Sequence, residues 1–184
     1  YIVLTQMSKI LNTNKNITID YQQKAKSLKA SVLKNFYDSH LNVLNYLIDQ
    51  KGNVDKSQEG LGISFAVIFG IVDGEKATKL INNAVVSKFG ITTIYPDFPR
   101  YSPEKPGRHN NIIWPMVNGF FANASLVSGS YPSFTHELFS LTNLALDADK
   151  GNMDFKEIYN PYSGKPDGGY QSDFNWTSCK NQTW

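Results

Sequence analysis

Glu59-Gly-Leu-Gly-Ile-Ser-Phe-Ala-Val-Ile-Phe-Gly-Ile-Val72 is apolar nearly all round a helix. Asp73-Gly-Glu-Lys-Ala-Thr-Lys-Leu-Ile-Asn-Asn-Ala-Val85, which follows at once, is apolar along one stripe only. The first pattern belongs to a helix buried on every side and the second to one lying half in water. Asp73 stands where an N-cap is expected, Glu75 falls in the first turn, and Gly90 reads as the end of the second helix. A Pro-rich stretch then covers residues 91–111, with Pro96, Pro99, Pro103 and Pro106.

The same order recurs downstream. Residues 112–127 are apolar around most of the circumference, through Ile112, Ile113, Trp114, Val117, Phe120, Phe121 and Leu126. A short turn leads to Ser133, read as the cap of an amphipathic helix carrying Leu138, Leu141, Leu144 and Ala145. Residues 149–174 form a second long loop rich in Gly, Pro and Tyr. Upstream, Tyr21, Ala25, Leu28, Val32 and Phe36 predict an amphipathic helix over about 17–36, with Lys24, Lys26 and Lys29 facing water, and Tyr1–Leu11 reads as a further helix. Buried helix, short turn, half-exposed helix and long loop alternate. This is the pattern of an all-α double-layered toroid, with an ordinary helical solenoid or bundle as the competing architecture. Both ends read as interior to a longer protein, since Tyr1 already lies in a helical pattern and Trp176 to Trp184 reads as an opening one.

Composition narrows the function. The 184 residues carry a net charge of +2 without a basic stripe, which speaks against a nucleic-acid partner. No apolar stretch approaches the roughly 20 residues that span a bilayer. The lone cysteine, Cys179, excludes an internal disulfide framework and a cysteine zinc site, and reads as a small buried hydrophobe. Among 184 residues, 11 Phe, 10 Tyr and 3 Trp make the chain aromatic-rich, which by itself says nothing about chemistry.

All the long loops open at the N-terminal ends of the buried helices, where backbone N–H groups are left over for oxygen-rich ligands. Three segments lead into them. Ser57-Gln58-Glu59-Gly60 offers Gln58 and Glu59, either to a ligand or as plain cap residues. Arg108-His109-Asn110-Asn111-Ile-Ile-Trp114-Pro115 gathers donors, acceptors and a flat apolar plate, the mixture that hydroxyls and the C–H face of a sugar ring require. Glu157-Ile-Tyr159-Asn160-Pro161-Tyr162-Ser163-Gly164-Lys165-Pro166, followed by Gln171 and Trp176, sets a carboxylate among aromatics, where it can hold and deprotonate a water. Asp147, Asp149, Gly151, Asn152 and Asp154 have the flavour of a calcium loop but miss its required Gly and Glu offsets, and neither His40 nor His136 stands at metal-ligand spacing from His109. No metal and no cofactor is therefore expected. Asn16, Asn123, Asn175 and Asn181 match the glycosylation pattern, a cheap match in an Asn-rich chain.

His109-Asn-Asn-Ile-Ile-Trp114-Pro115, with Asn118-Gly119 after it, and then Glu157-x-Tyr159-x-Pro161-x-x-Gly164-x-Pro166, resemble the C-terminal half of the six-hairpin (α/α)6-barrel glycosidases. Glycoside hydrolase family 63 and its bacterial relatives are the nearest of these; trehalases and α-rhamnosidases share the barrel. The resemblance implies that residues 1–184 are one piece of an (α/α)6 barrel whose upstream half and final helix lie outside it. It implies hydrolysis of a terminal α-glucoside or α-mannoside with inversion, a glycoside or oligosaccharide as partner, and a periplasmic or extracellular site of action. Glu157 maps onto the general base, and the general acid, an Asp of the earlier half, lies upstream of Tyr1; Asp97 is the local substitute. Arg108, His109, Asn110, Trp114, Gln171, Trp176, Gln58 and Glu59 are the expected sugar-binding residues. The family pattern has Gly where Asn111 stands here. A carbohydrate-binding pseudoenzyme and a protein-binding helical scaffold are the alternatives. An incomplete ring would expose Phe65 and Phe69, favouring self-association, and would lack activity by itself.

Overall fold

The computed structural model describes residues 1–10, 15–98, 107, 109–147 and 155–167. Six helices run through them: α1 (Ile2–Ile10), α2 (Lys15–Phe36), α3 (Gly60–Ile68), α4 (Gly74–Asn82), α5 (Pro115–Val127) and α6 (Tyr131–Asp147). Eight two-residue strands lie between them: β1 (Tyr37–Asp38), β2 (Val43–Leu44), β3 (Leu47–Ile48), β4 (Val54–Asp55), β5 (Gln58–Glu59), β6 (Val86–Ser87), β7 (Gly90–Ile91) and β8 (Ile94–Tyr95). They pair antiparallel as β1–β2, β3–β4, β5–β8 and β6–β7. The chain is thus helix-rich with a few small sheets, as an all-α reading requires at that level.

α1 packs on α2, and α5 packs on both α3 and α6. The main core joins Ile63, Ala66 and Val67 of α3, Ala77, Leu80 and Ile81 of α4, and Val117, Phe121 and Ala124 of α5. Phe121 is wholly buried, and truncating such a ring to Ala typically costs about 3–5 kcal/mol. A smaller cluster of Ile113, Leu144 and Tyr159, with Phe89 against it, joins α6 to the loops at the N-terminal end of α5.

Several boundaries differ from those expected. α3 stops at Ile68 because Gly70 turns to φ 68°, its N–H donating to the Val67 carbonyl. α3 is not buried on every side: Phe65 is half-buried, meeting Phe69 at 5.1 Å and the edge of Phe120 at 4.9 Å, and Phe69 is 40% exposed. Lys29 does not face water alone, since its ammonium donates to the Gly70 carbonyl and to Asp73. Asp73 is the N-cap of α4, as expected, with extended backbone, but its side chain makes no cap bond. That helix ends at Asn82, and Gly90 belongs instead to the β6–β7 hairpin. The Gln58 amide holds Val85 as a strand would, accepting from its N–H at 2.7 Å and donating to its carbonyl at 2.8 Å. α5 starts at Pro115 because the residue before a proline is forced extended, and Trp114 sits at φ −117°, ψ 115°. α6 starts at Tyr131, ahead of Ser133, with Pro132 in its first turn and the Phe134 N–H donating to the Ser130 carbonyl.

Candidate active site

A chain of backbone hydrogen bonds crosses the N-terminal ends of α3 and α5. Gln58 pairs with Tyr95 and Glu59 with Ile94. Beyond them, the Ile94 N–H donates to the Asn110 carbonyl at 3.2 Å and the Thr93 N–H to the Ile112 carbonyl at 2.9 Å. Ile113 and Tyr159 then exchange two bonds, at 3.0 and 2.9 Å, and the Asn160 N–H donates to the Lys165 carbonyl at 2.9 Å. All three segments expected to feed the site are therefore joined side by side.

Glu59 is the N-cap of α3. Its carboxylate accepts from the Leu61 N–H at 3.1 Å and, in a shorter bond, from the Gly62 N–H. Burial raises its pKa above the ordinary 4.5, against the opposing pull of those two N–H groups. A carboxylate raised in the fold costs stability while ionised, and that cost disappears as the pH falls through its folded value towards the unfolded one. The wild-type chain should thus gain stability over Glu59→Gln as the pH is lowered from 7 to about 4.5; denaturant unfolding at several pH values checks this. The opposite slope would show that the cap bonds outweigh burial. Gln58 and Glu59, expected at a ligand, have their side chains engaged in the frame.

His109 is exposed and stacks on Trp114, with ring centroids 5.1 Å apart and planes 18° from parallel. Trp114 is the residue before α5, so the two rings form a double plate at its N-terminal end. Asn110 is only 1% exposed. Its amide is spent internally, donating to Asp97 Oδ1 at 3.0 Å and accepting from the Phe98 N–H at 3.1 Å. The neighbouring Asn111 donates to Asp97 Oδ2 at 3.0 Å and to the Tyr162 hydroxyl at 2.8 Å, and that hydroxyl donates to Asp97 Oδ2 at 3.0 Å. Both oxygens of Asp97 are thus held in a clasp with Asn110, Asn111 and Tyr162, which suits a framework role better than proton donation. Burial, then the Asp97 carboxylate beside it, pushes the Tyr162 phenol up. The Asn111 side chain closes this clasp.

Glu157 is half-buried, two residues before the rung that Tyr159 forms with Ile113. Tyr159 is wholly buried, and its hydroxyl accepts from the Lys156 N–H at 2.7 Å. Phe155 lines a cavity of about 440 Å³ together with Pro115, Gly119, Phe120 and Asn123 of α5. Arg108, Gln171, Trp176 and Cys179 lie outside the described residues. Among the described residues, no group of three His, Cys, Asp or Glu could hold a metal, and no helix is long and apolar enough to cross a membrane.

A buried carboxylate that periodicity had not marked stands behind this region. Glu137 of α6 is wholly buried and accepts from Asn118 Nδ2 at 2.7 Å and the Ile91 N–H at 3.3 Å, tying α5 and α6 to the β6–β7 hairpin. Its other oxygen lies 3.4 Å from His136 Nδ1, and this contact pushes the His136 imidazole up.

The curated proteins contain no match to the chain. Among solved structures, the crystal structure of an uncharacterized conserved protein from Thermus thermophilus is similar to it with a TM-score of 0.65, at 17% sequence identity over 90% of this chain. That likeness shows a shared fold. The chain spans 39% of the length of that protein. The family model of the mannosylglycerate hydrolase MGH1-like glycoside hydrolase domain matches residues 2–177. Through that match over nearly its whole length, the chain belongs to the MGH1-like glycoside hydrolase family.

Proposed function

We propose that this chain is the part of an (α/α)6 glycosidase barrel that carries the general base, Glu157, and that the whole enzyme inverts the configuration of the sugar it releases. The observation that carries this reading is the run of backbone bonds that lays the Glu157 segment against the His109–Trp114 segment at the N-terminal end of α5. The sugar stacks on the Trp114–His109 plate, with Arg108, Gln171 and Trp176 completing its contacts. Glu157 takes a proton from water, and the water oxygen attacks the anomeric carbon. The glycosidic bond breaks as an Asp upstream of Tyr1 protonates the leaving oxygen. Asn110, Gln58 and Glu59 serve by holding the loops that present these groups.

The toroid itself finds support in the flank left open on α3 and α5. Phe69, Phe120, Leu126 and Val127 are 40%, 36%, 47% and 59% exposed, an apolar surface that further inner helices of a closed ring would cover. Without that cover, the same surface would drive self-association. The family's name makes mannosylglycerate the first substrate to try, with aryl α-mannosides and α-glucosides beside it.

The test is proton NMR of the sugar first released by the full gene product. Inversion of an α-mannoside gives the β-anomer first; the α-anomer first would overturn the inverting mechanism alone. Inversion also requires the Glu157 carboxyl to stand roughly 6.5–9.5 Å from that of the acid, leaving room for the water. Sugar binding without any turnover would identify a pseudoenzyme instead.

A further inference from the structure

We infer that Tyr159 is a positioning residue that sets the orientation of Glu157 through the backbone just before it. The inference rests on Glu157 being the general base. Tyr159 is held at three points. Its N–H and carbonyl both bond Ile113, at 2.9 and 3.0 Å; its ring packs against Ile113 and Leu144, with Phe89 closing the cluster; and its hydroxyl accepts from the Lys156 N–H at 2.7 Å. The last bond closes a loop of four residues, 156–159, with Glu157 inside it. Lys156 is 5% exposed and Tyr159 not at all, so water does not compete for this bond.

The consequence is geometric. With one end of the turn fixed to the start of α5 and the other curled back onto the tyrosine oxygen, the backbone of Glu157 has little freedom to rotate. A base must meet the water along one line, and misplacement by about 1 Å costs on the order of 10²-fold in rate. The tyrosine touches neither sugar nor water in this scheme; it acts through the carboxylate it orients. Phe89 supports it from behind: at Gly164, φ 69°, a Cβ would stand 2.4 Å from the Phe89 ring, so the far arm of the loop lies directly on that ring.

A double-mutant cycle on the full gene product with mannosylglycerate tests this. Tyr159→Phe keeps the ring and removes the acceptor; kcat should fall about 10–100-fold with KM unchanged and the melting transition still cooperative. In the Glu157→Gln background the same change should cost almost nothing more, because the group it orients no longer accepts a proton. Losses that multiply, a loss confined to KM, or a normal kcat in Tyr159→Phe would overturn the inference while leaving the function standing. Near-normal turnover in Glu157→Gln would overturn the function and the inference together. If Tyr159→Phe does not fold, 3-fluorotyrosine at 159, assayed at pH 6 where its phenol stays neutral, keeps the shape and weakens the oxygen as an acceptor. A few-fold fall in kcat that vanishes beside Glu157→Gln then supports the inference, and an unchanged kcat refutes it.

Discussion

Glu157→Gln should lower kcat of the full gene product by about 10²–10⁴-fold, the usual worth of a general base, and leave KM nearly where it was. The amide matches the carboxylate in shape, so the loop anchored by Tyr159 and the Trp114–His109 plate stay in place and the sugar still binds. With Glu157 as the proposed base, what would be lost is the ability to take the proton from water at the moment of attack. Steady-state kinetics on mannosylglycerate read both constants. A rise in KM with kcat preserved would move Glu157 from the chemistry to binding, and near-normal turnover would remove it from the site.

Gly90→Ala should destabilise the protein by about 4 kcal/mol or prevent it from accumulating, placing it among the most damaging single substitutions. Gly90 has φ 109°, a conformation L side chains rarely adopt, and a Cβ there would stand 1.8 Å from Asn118 Nδ2 and 2.7 Å from Glu137 Oε2. Neither neighbour can give way cheaply. Asn118 and Glu137 are wholly buried and bonded to each other, and the Ile91 N–H next to the glycine shares the same carboxylate oxygen. Moving the hairpin aside would take the Ile91 N–H away from that buried oxygen, and a buried polar group left without its partner costs about 1–3 kcal/mol on top of the backbone strain. Denaturant unfolding measures the loss; a change below about 1 kcal/mol would show that the hairpin can slide over α5 and α6 without breaking these bonds.

Gly90 also shows where sequence reading stops. The stripe of Ala77, Leu80 and Ile81 runs on in register through Ala84 and Val85, so a glycine five residues later looks like the end of a long helix. The Gln58 amide captures the backbone of Val85 from 27 positions away, a contact no local pattern contains. α2, Lys15–Phe36, was legible almost to the residue because its face repeats for about four turns, from Tyr21 to Phe36. The eight strands were invisible for the opposite reason: each has two residues, too few for an alternation, and partners such as Glu59 and Ile94 are far apart.

The candidate site divides along the same line. His109 and Trp114 could be read as a pair because they are five residues apart and their chemistry is complementary, and they do stack. Asp97 could not be read, since Asn111 and Tyr162 reach it from 14 and 65 positions away. As an isolated carboxylate in a Pro-rich loop it resembled a spare acid; in the fold both its oxygens are bonded to Asn110, Asn111 and Tyr162. The carboxylate of Glu59 was ambiguous on paper between ligand and cap, and in the fold it caps α3, accepting from the N–H groups of Leu61 and Gly62.

The rungs that join residues 58–59, 93–95, 110–113 and 159 are made of peptide groups, and peptide groups are the same whatever side chain they carry. Short of a proline, which would delete a donor at Thr93, Ile94, Ile113 or Tyr159, no substitution along these segments removes a rung directly. Exposed positions beside them, such as His109 and Tyr95, can therefore change without loosening the scaffold beneath. A rim built this way can be refitted by exchanging surface side chains one at a time, which gives selection a route between surface chemistries that never passes through an unfolded protein.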